Sequence, residues 1–311
     1  MRRILVIRYG GFGDLILGMS AFRSIRAHHS GDRIAVLTMG RFAELFTPSG
    51  YFDEVLIDDR PRLSRTLTWL RLARLLRSHN FDRVYDLQRN HRTYLLYLVL
   101  STGRRLQWSG VIRGASHFVH DDPNDRRHIT ERLAEQLVVA GIAEMLPADF
   151  SWLKGDAARF GLPARYALIV PGGAPHRPEK RAPAGLFAAL CRHLLDRGIK
   201  PVLLGTASER SQIDAVASRC PEAINLTDRT GFGDLADLAR GAVGAIGNDT
   251  GTMHLAGAVG CPSLVLFTRA SDPRLVRPLG PRVSVLHRET RESLELVAIA
   301  SAWDELIADM V

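Results

Sequence analysis

The sequence predicts an α/β protein made of two doubly wound units of similar size. Three observations predict this. Short apolar, β-branched runs alternate with amphipathic helical stretches along the whole chain. The pattern restarts in mid-chain with a fresh apolar strand at 166–170. Between the halves, residues 143–165 carry Pro147, Gly155, Gly161 and Pro163 in mixed polarity, which marks the boundary.

The elements follow in order. The run 4–7 (Ile-Leu-Val-Ile) reads as a buried strand, and Asp14 to about His28 as a helix. Strands are expected at 34–37 and 54–57. Residues 65–77 place Leu67, Leu70, Leu72, Leu75 and Leu76 at helical spacing, and 83–87 follows as a strand. In the second half, strands are expected at 166–170, 201–204, 223–226, 243–246 and 263–267. Helices are expected between them at about 184–196, 208–219, 233–241 and 251–259. The last 20 residues, with Leu294, Leu296, Val297, Ile299, Trp303 and Leu306, read as a terminal helix.

The chain has 311 residues, 46% of them hydrophobic and 24% charged, with mean hydropathy near zero. That composition excludes wholesale disorder, collagen-like repeats and a polytopic membrane protein. The longest apolar runs, such as 94–100, fall short of the ~20 residues a spanning helix needs. Lys plus Arg is 41 against 33 Asp plus Glu, a net charge of +8, and only Lys154, Lys180 and Lys200 are lysines. Residues 60–113 hold 12 arginines against Asp82 and Asp86. Such a basic half implies an anionic partner or a solvated arginine surface. Cys191, Cys220 and Cys261 are far apart and read as thiols of a reducing compartment. Arg8 and Asp14 interrupt the N-terminal apolar run too early for a signal peptide, so the chain reads as cytoplasmic.

Four motifs carry the candidate chemistry. The first runs from Arg8 through Gly10, Gly11 and Gly13 to Asp14, directly after the first strand. A glycine turn into a helix lets backbone approach a ligand. Gly11 and Gly13 fit the start of a dinucleotide fingerprint, but Ile16 occupies its third position. No acidic residue ends the second strand, so a nicotinamide or flavin site is disfavoured. Asp14 reads either as the helix cap or as a carboxylate available for general-base chemistry. The second motif, 170–183, is a Pro/Gly loop with His176, Arg177, Lys180 and Arg181, suited to a diphosphate or to solvent. The third is Gly247 to His254, where Thr250 and Gly251 open a helix as a phosphate cradle would. Asp249 there suits a lysine or a sugar hydroxyl. The fourth is Leu204 to Arg210, where Glu209 either holds ribose hydroxyls or favours the first helical turn. No P-loop, nucleophile elbow, HExxH or Asp-x-Asp pair is present. His117, His120, Asp121 and Asp122 read as a polar loop rather than metal ligands.

At these residues the sequence resembles glycosyltransferase family 9, the ADP-heptose:lipopolysaccharide heptosyltransferases. The resemblance rests on 4–26, on VYDLQ at 84–88, on PGGAPHRPEKRAP at 171–183, on VLLGTASER at 202–210 and on GNDTGTMHLAGAVGCPSLVLF at 247–267. It implies a GT-B fold, two Rossmann-like domains facing a central cleft. Residues 1–155 would bind the acceptor and 156–290 the nucleotide-sugar, with 291–311 packing back on the N-terminal domain. It implies inverting transfer of a heptose from ADP-heptose, with no required metal or cofactor and Asp14 as base. Lys180, Asp249, Thr250, Gly251 and His254 match donor-binding positions, Glu209 the ribose site and Thr230 the adenine site. An anionic lipid-linked acceptor and peripheral contact with the inner membrane follow from the same resemblance, and nucleic acid does not. Another nucleotide-sugar, or an acceptor outside lipopolysaccharide, is the alternative; a nucleotide- or lipid-binding protein that kept the fold is a third. Two departures stand. Ala182 replaces an aromatic residue common in Lys-x-Trp-Pro, and Pro175 and His176 replace hydroxyl residues.

Overall fold

The computed structural model describes residues 1–60, 66–174 and 176–308. Arg65, Pro175 and residues 309–311, which bear on the expected helix start, the loop and the chain end, lie outside them. The chain divides into two compact units, Met1–Trp152 and Leu153–Val311.

In the first unit the elements run β1 (Arg3–Ile7), α1 (Phe12–His28), β2 (Arg33–Thr38), α2 (Ala43–Phe46), β3 (Glu54–Ile57) and α3 (Thr66–Ser78). Then come β4 (Arg83–Asp86), α4 (His91–Ser101), β5 (Gln107–Gly110), β6 (His117–Phe118) and α5 (Ile129–Val139). Among the described residues the strands form a parallel six-stranded sheet of order β3-β2-β1-β4-β5-β6. β1 is buried from Ile4 to Ile7 because neighbours cover both its faces, which is why its sequence is a continuous apolar run. Leu72 and Leu76 of α3 and Leu96 and Leu100 of α4 pack with Leu5, Ile7 and Trp108 in one core layer. Phe22, Phe46 and Phe52 meet edge to face with centroids 5.4–5.6 Å apart.

The second unit comprises β7 (Tyr166–Val170), α6 (Ala184–Leu195), β8 (Lys200–Leu203), α7 (Arg210–Ala217), β9 (Ile224–Asn225) and α8 (Phe232–Gly241). It continues with β10 (Gly244–Asn248), α9 (Gly251–Ala258), β11 (Ser263–Thr268), α10 (Pro273–Val276), β12 (Val283–Arg288) and α11 (Leu296–Ile307). Its parallel sheet has the order β12-β11-β10-β7-β8-β9. Counted from each unit's own first strand, both sheets read 3-2-1-4-5-6, the doubly wound order. In that order the winding reverses between β1 and β4, and between β7 and β10. Ligand crevices of open α/β sheets lie outside the carboxyl ends of such strands.

The terminal helix, expected to turn back on the N-terminal domain, spends its apolar side on its own unit. Ile299, Trp303 and Ile307 are buried with Phe187, Leu190 and Leu264 in one cluster. Sequence reading did not anticipate α2, α4, α5, α10, β5, β6 and β12. Residues 94–100 are apolar on every side, which hides helical periodicity, and β5 and β6 are only 4 and 2 residues long.

Candidate functional site

Three of the four motifs leave strands that flank the two switch points, and the fourth, 204–210, leaves β8 beside β7. In the first unit, Ile7 lies beside Asp86 in the β1–β4 register, and the glycine turn leaves the end of β1. Gln88 anchors that turn: its Oε1 accepts the amides of Tyr9 at 2.8 Å and Gly10 at 3.0 Å. The glycine in left-handed backbone is Gly10, with φ +37°, rather than either glycine of the fingerprint spacing. A Cβ there would lie 2.6 Å from the Cβ of Asp14, so position 10 takes neither the dihedral nor the bulk of another residue.

Asp14 does cap α1. Its Oδ2 accepts the Gly11 amide at 2.8 Å, two residues beyond which Gly13 lies in the first turn. The other carboxylate oxygen, Oδ1, lies 3.7 Å from Nη2 of Arg8, and the Asp14 side chain is 48% exposed. One oxygen caps while the carboxylate stays open to solvent, so the cap does not use up the side chain. Arg8 is buried at 5% exposure, donates to the carbonyl of Leu87 and reaches the Asp14 carbonyl at 3.3 Å. Burial lowers its guanidinium pKa, against the opposing charges of Asp14 and Asp86. Asp86 is fully buried, and its Oδ1 accepts the amides of Gln88 and Arg89 at 3.1 Å. Burial pushes its carboxyl up to about 6, against the hydrogen bonds of Thr93, Arg89 and Gln88 and the charge of Arg8.

In the second unit, Lys180, Asp249 and His254 are brought together. Lys180 Nζ donates to Asp249 Oδ2 at 2.6 Å and to Ser271 Oγ at 3.1 Å. Ser271 donates to the same Oδ2 at 2.8 Å, and His254 Nε2 lies 3.6 Å from Oδ1. Burial alone would push the Asp249 carboxyl up. The nearby His254 ring and the charge and hydrogen bond of Lys180 outweigh it and hold the group below the usual carboxylate range. Thr250 is the extended N-cap residue of α9, with Gly251 its first helical residue. The first-turn amides of a helix have no intrahelical acceptor. Thr250 Oγ1, His254 Nδ1 and Arg181 Nε and Nη2 are buried without a hydrogen-bond partner among the described residues. They are open donors and acceptors at one sheet edge, suited to an anionic, hydroxyl-rich ligand.

Glu209 caps its own turn: Oε2 accepts both the amide and the hydroxyl of Thr206 at 2.9 Å. Its carboxylate lies across Gly172, where a Cβ would sit 2.2 Å from Oε1, so it shares an edge with the Lys180 loop. Thr230 is half-buried in the loop before α8. That loop is tied to the Glu209 turn by Asp228, whose amide donates to the Gly205 carbonyl at 2.9 Å. Sequence reading missed Ser271, which reaches Asp249 from the far side of β11, and Asn248, which holds the 171–182 loop. Asn248 accepts the Ala182 amide at 3.0 Å and donates to the carbonyls of Pro171 and Gly172. A polar residue ending an apolar strand was the available signal for Asn248, as it was for Asp86; Ser271 had none.

Other features are internally paired. His117 meets Arg83 at 2.8 Å, and Asp121 is held by Arg89 and Arg132 at 2.7 and 2.6 Å. Among the described residues no group of three His, Cys, Asp or Glu is placed to hold a metal ion. A cavity lined by Arg3, Arg33, Glu54 and His79 lies at the opposite, amino-terminal edge of the first sheet. Arg33 and His79 both pair with Glu54 there, and Arg3 donates to the His79 carbonyl at 2.9 Å.

A family model described as glycosyltransferase family 9 (heptosyltransferase) matches residues 69–302. Lipopolysaccharide heptosyltransferase 2 of Escherichia coli K12 is 25% identical over 91% of this chain and 87% of that protein. The solved family 9 glycosyltransferase of Veillonella parvula superposes with a TM-score of 0.84 at 20% identity, covering 99% of this chain and 97% of that one. The E. coli ADP-heptose LPS heptosyltransferase II does so with 0.78 at 21% identity, covering 99% of each chain. These likenesses carry the GT-B fold.

Proposed function

The chain belongs to glycosyltransferase family 9 and is a glycosyltransferase, and we propose that it moves a heptose from ADP-heptose to a lipopolysaccharide-core or related glycan acceptor, with inversion. Residues 156–290 take the donor and 1–155 the acceptor. Asp14 receives the proton of the acceptor hydroxyl as that oxygen bonds to the anomeric carbon. The bond from that carbon to the ADP phosphate oxygen breaks, and ADP leaves with the electron pair. Asp14 is suited to this because its carboxylate stays half-exposed while one oxygen is held by the Gly11 amide.

The observation that carries the donor half is the Lys180–Asp249–His254 cluster at the mouth of α9. Asp249 holds Lys180 and His254 in place. Lys180, Arg181 and the amides of Gly251, Thr252 and Met253 offer positive charge to the diphosphate. That local charge does the work a divalent ion does elsewhere, so the scheme calls on no metal or other cofactor. Glu209 holds the ribose and the backbone near Thr230 the adenine. The names of the relatives support both heptose and a lipopolysaccharide acceptor. On this reading the enzyme works at the cytoplasmic face of the inner membrane.

The test is the affinity for ADP, UDP, GDP and NAD by calorimetry, on wild type and on the Lys180→Ala/Asp249→Asn pair. Removing both partners avoids leaving an uncompensated buried carboxylate. ADP should bind tightest and lose about tenfold to a hundredfold in the double variant. A preference for UDP or GDP would replace the donor, and unchanged ADP affinity would remove Lys180 from the site.

A further inference from the structure

Helix α3 wears leucine on its solvent side. Leu72 and Leu76 enter the core, while Leu67 and Leu70 are 71% and 64% exposed and Leu75 is 41% exposed. Leu67, Leu70, Arg71 and Arg74 follow i, i+3, i+4, i+7 spacing, so they share the face opposite the buried one. Neighbouring α4 adds exposed Tyr94 and Leu98, one turn apart. The two helices are tied at both ends. The Arg92 guanidinium lies 4.2 Å over the Trp69 ring, and Arg77 donates to the Val99 carbonyl at 2.6 Å. Single exposed leucines are ordinary; several on adjoining helices, with Arg71 and Arg74 on the same face of α3, are not.

Charge identifies the occupant. Neither helix carries an Asp or Glu. The stretch's two acids are engaged elsewhere: Asp82 accepts the Arg3 amide at 2.8 Å and Asp86 is fully buried. Two copies of so basic a face would repel each other. No helix among the described residues is long and apolar enough to cross a membrane. We propose that the outward face of α3, extended by α4, docks on an anionic phospholipid surface, leucines among the acyl chains and Arg71 and Arg74 among the phosphates. Leu67 and Leu70 stand in the first two turns of α3, which starts from the carboxyl end of β3. Strands β3 and β1 are both parallel to β2, so this is the edge that carries Asp14. Docking brings that edge to the lipid surface, where a lipid-linked acceptor lies; the proposal rests on that reading for its purpose only.

The test is co-sedimentation of the full chain with phosphatidylcholine vesicles, with and without phosphatidylglycerol, at low and high salt. Wild type should partition onto the anionic vesicles and leave them as salt rises. The Leu67→Ser/Leu70→Ser variant should lose about tenfold or more in partitioning. Arg71→Gln/Arg74→Gln should lose a similar amount and the preference for anionic lipid. Melting temperature and ADP affinity, measured on the same samples, should match wild type, which separates this proposal from the donor assignment. Equal binding to both vesicle types, no binding, or undiminished binding by the leucine variant would overturn it. So would a concentration-dependent dimer abolished by the same two substitutions.

Discussion

The pentapeptide Gly-Phe-Gly-Asp-Leu occurs twice, at 11–15 and at 231–235, once opening a helix in each unit. In both copies the aspartate accepts the amide of the first glycine, at 2.8 Å for Asp14 and 2.9 Å for Asp234. There the likeness ends. The α8 copy is covered by its own chain: residues 154–156 cross it so closely that a Cβ on Gly155 would sit 2.3 Å from the Asp234 amide. Asp234 also accepts the Asp156 amide at 3.1 Å and pairs with Arg159 at 2.5 Å, leaving its side chain 12% exposed. Those bonds outweigh burial and lower its pKa. The α1 copy keeps the Asp14 side chain 48% exposed, with buried Arg8 3.7 Å from its second oxygen. Identical sequence thus gives an identical cap and opposite availability. A helix start keeps an open carboxylate when the chain leaves it uncovered.

The contrast can be broken by matched substitutions. Asparagine retains the capping oxygen in both places. Asp14→Asn should lower turnover about 10²- to 10⁴-fold with the melting temperature nearly unchanged. Asp234→Asn should leave turnover intact and cost about 1 kcal/mol, the partly exposed Arg159 pair being screened. Steady-state rates and thermal melts on both variants check this, and equal turnover in Asp14→Asn would remove the base role.

A smaller effect concerns the residue before each copy. Gly10 is left-handed and pressed against Asp14, whereas its counterpart Thr230 has no positive φ. Gly10→Ala should destabilise by about 1–3 kcal/mol and displace Asp14, lowering turnover as well. Thr230→Gly should stay within about 1 kcal/mol of wild type. Denaturant titration with activity on the same samples reads both, and a stable, fully active Gly10→Ala enzyme would refute the first.

The smallest effect is a pH dependence with opposite signs at two carboxylates. Asp86 has its pKa raised to about 6 from an ordinary ~3.9. Its contribution to stability is therefore complete below about pH 4 and lost as pH rises through 6. Asp249 is lowered. Its contribution is present above about pH 4 and lost as pH falls through its folded value. Replacing Asp86 by Asn should remove a decline in stability between pH 4 and 6, measured by melts across that range. A slope identical to wild type would show that Asp86 does not titrate there.

Much of the fold was legible because parallel strands are buried on both faces and so read as apolar runs, as at 4–7 and 166–170. Of the four marginal strands, β3 and β9 were read from the sequence, whereas β6, only 2 residues long, and β12, whose polar and apolar residues are mixed and none of them fully buried, were hidden. The candidate site was legible where a glycine turn or a helix start follows a central strand, as at Asp14, Lys180 and Asp249. It was not legible where partners arrive from distant segments. Ser271 joins Asp249 across 22 residues, and Gln88 reaches the glycine turn across 79 and 78.

What the sequence determined by itself was local: alternation of strand and helix, caps at Asp14 and Glu209, and a clustering of arginine between 60 and 113. These depend on neighbours a few residues away. What only the tertiary structure decided was which polar groups are left over. Asp234 is consumed by Arg159 and Asp156, Asp249 is spent on Lys180 and His254, and Asp14 keeps a carboxylate open to solvent. The same side chain in the same pentapeptide differs only in what the rest of the chain lays across it, and that is set by long-range packing.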